Sequence, residues 1–345
     1  MTYIIGEIGQ NHNGSIDLAK AIIDLISRPI KEGLFKLDCK GVNAVKLTKR
    51  DLGHELSKSQ MDKIYDSPHS FGRTYGDHRS FLELSNEEHF EIYNYAKKKG
   101  LEFVETLCAT GCLSLLKIFT PDKLKVASRD LTNLPLLTAM AETKIPMIIS
   151  TGMTGRKELD DAISTITRFH SNLSILHCVS EYPTHPKNVN LRTIDFLKNN
   201  YSDFTIGYSD HTVGISVPIA AVAKGAQIIE KHITLDRSMK GTDQSGSLGP
   251  QGVYRMVRDI RLLDMSLGIE DIFTATGVDI ARNKLERSIA SKRDIKKGEV
   301  LTLNDIHLLS PGDGFKWTER KKIIGKTIIR NIKVNEIIYE NYITK

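Results

Sequence analysis

The chain has 345 residues, 40% of them hydrophobic and 26% charged, with a formal net charge of +6. These values belong to ordinary globular proteins and exclude disordered and fibrous classes. The length suits two domains or one large barrel with an appendage, and so small a positive surplus, spread along the chain, does not argue for nucleic acid.

The first residues enter an apolar run at once, Tyr3-Ile4-Ile5, with no basic segment and no cleavage site of a secretory signal. No run approaches the ~18 apolar residues of a membrane helix. The longest mostly apolar run, residues 215–229, is broken by Pro218, Lys224 and Gly225. Cys39, Cys108, Cys112 and Cys178 contain no C-x-x-C pair and are too few for a disulfide framework. They read as buried reduced thiols, and the expected compartment is the cytoplasm.

In chain order, β-branched runs alternate with amphipathic segments. Strands are predicted at 3–8, 44–48, 102–106, 123–127, 147–150, 174–177, 205–209 and 227–232. Helices are predicted at 18–27, 87–99, 112–119, 136–143, 158–169, 191–199, 218–223 and 252–267. Ser85 with Glu88 forms a capping box at the start of the second helix. Eight strand-then-helix units predict an α/β fold, a (β/α)8 TIM barrel over residues 1–268. An open doubly wound sheet is the competitor. It is disfavoured because Gly6-Glu7-Ile8-Gly9-Gln10-Asn11-His12-Asn13-Gly14 does not match the glycine fingerprint expected after its first strand. Residues 49–85, between the second strand and its helix, form a long excursion. A loop of that length is usually functional or interfacial. After a linker at 269–287, in which 278–285 has the pattern of a short helix, residues 288–345 read as a small β-rich domain. Its strands are expected at 288–291, 300–302, 308–315 and 328–333. So small a unit has a marginal core and is expected to rest on another surface.

Barrel active sites lie at the C-terminal ends of the strands. Those ends supply Glu7, Lys46, Thr106, Lys125 with Ser128, Ser150, His177 with Ser180, Ser209 with His211, and His232. Two lysines desolvated at strand ends need an anion. With the hydroxyls of Thr106, Ser128, Ser150 and Ser209 they form a cradle for phosphate or carboxylate. The competing reading pairs each lysine with a carboxylate such as Glu105 or Asp130. His211 and His232 end adjacent strands and suit a divalent Mn, Fe or Zn ion. His177, between Leu176 and Cys178, reads as a core histidine. Glu7, Asp130, Asp210 and Asp243 are the acidic candidates.

Read in order, these motifs resemble the N-acetylneuraminate (sialic acid) synthase family. They are Gly6-Glu7-Ile8-Gly9 with Asn11-His12-Asn13-Gly14, Ala44-Val45-Lys46, Lys125-Val126-Ala127-Ser128, Ser150-Thr151-Gly152-Met153, Tyr182-Pro183, Tyr208-Ser209-Asp210-His211, Glu230-Lys231-His232 and Lys240-Gly241-Thr242-Asp243. Gly72-Arg73-Thr74-Tyr75-Gly76-Asp77-His78-Arg79 is similar to a segment of some members, and residues 288–345 resemble the antifreeze-like (SAF, β-clip) domain. The resemblance implies condensation of phosphoenolpyruvate with an N-acylated hexosamine, N-acetylmannosamine first, with release of phosphate and a divalent metal, Mn2+ or Mg2+, as cofactor. It implies that His211 and His232 hold the metal. Lys46, Thr106, Lys125, Ser128, Ser150, Ser180 and Ser209 then surround phosphoenolpyruvate, Glu7, Tyr182 and Asp243 face the sugar, and Asp130 assists water. It also implies a homodimer in which the C-terminal domain covers the partner's site.

Three positions depart from the family pattern: Thr48, Arg129 and Ser310. They leave a diacetamido-trideoxyhexose acceptor, leading to legionaminic- or pseudaminic-type acids, as an alternative. A non-catalytic carbohydrate-binding relative and a pyruvate-using metal lyase are the rivals of a different class.

Overall fold

Eight parallel strands close on themselves: β1 (Tyr3–Gly9), β2 (Ala44–Lys49), β3 (Glu102–Leu107), β4 (Lys123–Val126), β5 (Met147–Ser150), β6 (Leu173–Cys178), β7 (Thr205–Asp210) and β8 (Ile228–His232). Each pairs with its sequence neighbours, and β8 returns to β1 in the register Ile5↔Glu230 and Glu7↔His232. The computed structural model describes residues 1–344. The chain divides into two compact units, Met1–Gly268 and Ile269–Lys345, with Lys345 outside the described residues.

Side-chain alternation builds the barrel in two layers. One set of strand residues faces the surrounding helices and forms the main core with them, Ile4, Ile8, Val45, Phe103, Ile149 and Ile229 among its members. The alternate set faces inward, where Ile5, Ala44, Val104, Ile148, Leu176 and Ile228 fill the lower interior. On β7 the corresponding position is Gly207. A Cβ there would meet Leu176 Cδ2 at 2.5 Å and the Ile228 carbonyl oxygen at 2.6 Å, so the two neighbours occupy its space.

Helices follow seven of the strands: Ile16–Ile26, Asn86–Lys98, Leu134–Glu142, Arg156–Thr167, Arg192–Asn200, Ser216–Ala223 and Pro250–Ser266. The helix expected after β3 is a 3-10 segment, Thr110–Lys117, packed through Cys112 and Leu115. The excursion is not an unstructured loop. It holds short helices at Leu52–Glu55, Lys58–Met61 and Tyr75–Leu82, the last opened by a Thr74–Asp77 capping box. A two-stranded hairpin at Ile30–Glu32 and Leu37–Cys39, which the sequence reading did not anticipate, precedes β2.

The second unit has a core of its own in Ile289, Ile295, Leu301, Ile306, Ile323, Ile328, Ile332 and Ile338. Strands β9 (Ser288–Ser291) and β10 (Ile306–Leu309) pair antiparallel. The runs expected at 300–302 and 328–333 make single bridges instead, Val300↔Thr327, Ile295↔Ile332 and Ile328↔Ile343. Gly298 and Gly325, at φ +94° and +85°, turn the chain before longer ladders form. The end of the predicted linker belongs to this unit. Val278–Leu285 is helical, Gly312 N donates to Asn283 O at 2.8 Å, and Ser310 Oγ donates to Leu285 O at 3.0 Å.

Candidate active site

Two residues beyond the lower interior layer, each strand presents a hydroxyl, thiol or charged side chain. The inward positions are Glu7, Lys46, Thr106, Lys125, Ser150, Cys178, Ser209 and Glu230, one from each strand, and all eight line a cavity of about 380 Å³. Strand period alone produces this tier: each member is two residues past Ile5, Ala44, Val104, Lys123, Ile148, Leu176, Gly207 or Ile228. Ser128, Ser180, Tyr182, His211, His232 and Asp243 line the same cavity from the strand ends and loops above.

Within the tier the charges interlock. Lys46 Nζ lies 2.6 Å from Glu7 Oε2 and 3.7 Å from Glu230 Oε1, and donates to Thr106 Oγ1 at 3.0 Å. Ser209 Oγ donates to Glu230 Oε1 at 3.0 Å. The competing carboxylates do not serve. Glu105 points outward and sits 3.0 Å from His89 Nδ1, because alternation places it opposite to Thr106. Lys125 Nζ donates to Ser150 Oγ at 2.7 Å and to Val126 O at 2.9 Å, with no carboxylate within 4.0 Å among the described residues. Burial therefore depresses the pKa of Lys125. Burial also disfavours the charge on Lys46, but Glu230 and Glu7 outweigh it and hold its pKa above the usual value. Glu7 is raised by burial despite Lys46, whereas the two lysines overcome burial at Glu230 and lower it.

Above the tier the two histidines approach each other, with ring centroids 5.6 Å apart. The Tyr182 ring lies 4.0 Å from that of His211. His211 Nδ1 donates to Val179 O at 2.8 Å, which leaves Nε2 as the lone-pair nitrogen. His232 Nδ1 is buried without a hydrogen-bond partner among the described residues. Two neutral imidazoles with unused nitrogens fit a divalent ion that takes its remaining ligands from substrate or water. No group of three His, Cys, Asp or Glu side chains arranged as a metal site occurs among the described residues.

Asp130 is the expected site residue that the structure does not bring into the cavity. Its carboxylate accepts from Arg129 Nε at 3.2 Å, and Arg129 itself lines the cavity. Arg129 is also 3.3 Å from Glu55, which pairs with Arg50, and its Nη2 donates to Cys108 Sγ at 2.8 Å. Asp210 likewise serves the wall: its Oδ2 is 2.5 Å from Lys231 Nζ. His177 is buried and bonded through Nε2 to Val189 O at 2.7 Å, as a core histidine should be. Glu230, Arg50, Arg79 and Cys178 line the cavity although the sequence reading assigned them no role there. Alternation would have found Glu230, two before His232 on one strand, and Cys178. Arg50 continues the alternation of Lys46 and Thr48 just past β2, whereas Arg79 arrives by tertiary folding of the excursion, which has no period to read.

Residues 37–271 match the NeuB family, and residues 286–343 match the SAF domain. The chain is 33% identical over 343 residues to human N-acetylneuraminate-9-phosphate synthase, covering 99% of this chain and 92% of the relative. It is 33% identical over 353 residues to the N,N'-diacetyllegionaminic acid synthase of Legionella pneumophila, covering 99% and 94%. A crystal structure of the N-acetylneuraminic acid (sialic acid) synthetase of Leptospira borgpetersenii in complex with citrate is similar, with a TM-score of 0.67 and 30% identity over 81% of this chain and 90% of that one. A putative spore coat polysaccharide biosynthesis protein E from Chromobacterium violaceum superimposes with a TM-score of 0.75 at 25% identity, covering 100% of both chains.

Proposed function

The chain belongs to the NeuB family and carries a SAF domain, and on that premise we propose that it condenses phosphoenolpyruvate with an N-acylated hexosamine to a nine-carbon 2-keto sugar acid. N-acetylmannosamine is the first choice of acceptor. The observation that carries the reading is the polar tier, above all Lys125, buried, held by a hydroxyl and a carbonyl, and with no carboxylate within 4.0 Å among the described residues. An anion entering the cavity supplies a direct partner.

Lys46, Lys125, Thr106, Ser128, Ser150, Ser180 and Ser209 hold phosphoenolpyruvate, while Glu7, Tyr182 and Asp243 face the sugar. The enol carbon attacks the open-chain aldehyde carbon and a C–C bond forms. Water adds at the cationic C2, and the tetrahedral carbon expels phosphate by C–O cleavage. The two lysines stabilise the departing dianion from fixed positions in a water-poor site. Asp130 assists the water only after leaving Arg129, so Arg129 governs when that carboxylate is free. His211 and His232 would hold Mn2+ or Mg2+. When bound, such an ion supplies Lewis-acid polarisation of an oxygen.

Relatives named for N,N'-diacetyllegionaminic acid and pseudaminic acid stand at 33% and 30% identity, so a diacetamido-trideoxyhexose is the second acceptor to try. Four free cysteines support a reducing compartment, the cytoplasm. Among the described residues no helix is long and apolar enough to cross a membrane. We further propose a homodimer in which the C-terminal unit covers the partner's cavity and keeps water from it.

Phosphate release from phosphoenolpyruvate, measured over a panel of N-acylated hexoses, tests the reaction. Consumption with at least one acceptor is expected. Consumption with none, or turnover with pyruvate in its place, refutes the condensation. Light scattering of the full chain tests the dimer, and a monomer at working concentration refutes the cover.

A further inference from the structure

The excursion carries a buried histidine that the condensation does not use. His78 lies in the helix Tyr75–Leu82 and is fully buried. Its ring packs against Tyr65, Phe71 and Tyr75, with centroids 4.8, 5.9 and 6.3 Å away. Nδ1 accepts from Phe71 N at 3.2 Å, so the ring proton sits on Nε2, which is buried with no hydrogen-bond partner among the described residues. The bond to Phe71 closes the segment on itself. Phe71 stacks on Phe81 at 4.7 Å, and Lys240 Nζ, from the loop after β8, lies 4.9 Å from the Phe71 ring centroid.

The next residue, Arg79, lines the cavity. Among the described residues no carboxylate lies within 4.0 Å of it, and neutral partners fix its guanidinium. Nε donates to Tyr75 Oη at 2.9 Å, Nη1 donates to Gln10 Oε1, and Cζ lies 4.9 Å from the Tyr75 ring centroid. Tyr75 serves both neighbours, since its ring packs on His78 and its hydroxyl holds Arg79. The seat of Arg79 therefore depends on the helix staying where His78 anchors it.

A second ring proton is incompatible with that anchor. It has only Nδ1 to occupy, which turns the acceptor of Phe71 N into a donor facing a donor. The charged groups acting on the ring are Arg79 on its own helix, Arg50 just past β2, and Lys240 with Asp243 on the loop after β8, three cations against one carboxylate. Tyr65 and Tyr75 are the other titratable groups against it. Burial first, then Arg79 and Arg50, push its pKa down to about 4. Opened to water, the ring returns to the ordinary value of about 6.5.

We propose that His78 is a positioning residue whose neutral ring holds Arg79 at the cavity, and that protonation of the ring unlatches residues 64–82 and withdraws the guanidinium. Above about pH 6.5 the closed and opened segments are both neutral at His78, and pH has no effect through it. Below that value only the opened segment takes up the proton. The opened fraction then grows roughly 20-fold between pH 7 and pH 5.

Amide hydrogen exchange of the full chain at pH 7, 6 and 5, expressed as protection relative to the intrinsic rate at each pH, tests this without reference to the reaction. Amides of residues 75–82, that of Arg79 included, are expected to lose protection roughly 20-fold while those of β3 and β5 hold theirs. His78→Gln keeps a polar side chain that does not titrate, and it should remove the slope. Wild-type protection that is unchanged from pH 7 to pH 5 overturns the proposal. So does a loss shared equally by β3 and β5, which is global, or a slope that survives in His78→Gln, which belongs to another group. A segment already unprotected at pH 7 in His78→Gln supports the positioning role directly.

Discussion

Strand β8, with β7 beside it, carries buried charged groups on both faces, and the faces are finished differently. Toward the helices, Asp210 and Lys231 are each 1% exposed. Asp210 Oδ1 accepts from Tyr208 Oη and Thr212 N, both at 3.0 Å, and Oδ2 accepts from Thr212 Oγ1 at 3.1 Å and Lys231 Nζ at 2.5 Å. Lys231 also donates to Thr212 O. Toward the cavity, on either side of Lys231 in β8, Glu230 keeps Oε2 without a hydrogen-bond partner among the described residues and His232 keeps Nδ1 without one. Lys125, across the barrel, has no carboxylate. Burial alone therefore does not mark chemistry. The outward pair is complete within the fold, whereas the inward groups are left for something that enters.

The sharpest way to break this distinction is to remove a lysine from each face. Lys231→Met strands the Asp210 carboxylate among dry neighbours and should destabilise the fold by about 3–5 kcal/mol. Chemical denaturation reads this directly. A loss under about 1 kcal/mol would mean that water reaches the pair and that the wall is not closed. Lys125→Met should behave oppositely. It removes a buried cation that makes no direct ion pair, so the unfolding midpoint moves far less than in Lys231→Met. Affinity for phosphoenolpyruvate falls by about 1.5–3 kcal/mol, or roughly 10–150-fold. Unfolding and equilibrium binding, measured on the same preparation, decide it. Strong destabilisation with unchanged binding would make Lys125 a structural group and undo the comparison.

A smaller and more gradual effect comes from His12, which is 1% exposed just after β1. Its Nδ1 accepts from Gly14 N at 3.1 Å, so the neutral ring is the one the fold requires. Burial lowers its pKa to about 3. Above about pH 6.5, the ordinary histidine value, folded and unfolded chains both hold it neutral, and pH has no effect through it. Below that value the unfolded chain takes up a proton that the folded chain refuses. Stability then falls by up to ~1.4 kcal/mol per pH unit until the folded pKa is reached. The difference in unfolding free energy between wild type and His12→Gln, followed from pH 7 to about pH 4, should show this slope. A flat difference would place His12 in contact with solvent.

Much of this was legible in the residues themselves. The polar ends of short apolar strands located Glu7, Lys46, Thr106, Lys125, Ser150 and Ser209, because barrel sites lie at those ends and a desolvated charge facing inward there needs a partner. Reading only strand ends missed Glu230, which alternation would have recovered from His232. The same alternation excludes Glu105 as a partner for Lys46, a point that reading by proximity in sequence did not see. Asp130 lies outside the cavity lining for a different reason: its immediate neighbour Arg129 draws the carboxylate aside, and side-chain direction after a strand has no signature in sequence. Arg50 is recovered by alternation from Lys46 and Thr48, but Arg79 depends on how residues 49–85 fold back over β1. That path is set by contacts such as those of Glu83 with Lys49 Nζ at 2.8 Å and with Arg50 N at 3.1 Å. The expected helix at 112–119 is a 3-10 segment over Thr110–Lys117, in which Cys112 and Leu115 are buried three residues apart.

The tier itself holds two lysines and two glutamates, and with all four ionised their charges cancel. A cancelled ring projects little field into the surrounding water, so a passing anion does not sense the floor of the cavity from a distance. What it senses is the arginines above, with Arg79 foremost because no carboxylate offsets it. Encounter and retention are thereby assigned to different storeys of one barrel. The association rate of an anionic substrate should fall as ionic strength rises and the Debye length shrinks toward the spacing of the charges. Its dissociation rate, set among desolvated partners where counter-ions do not penetrate, should change little over the same range.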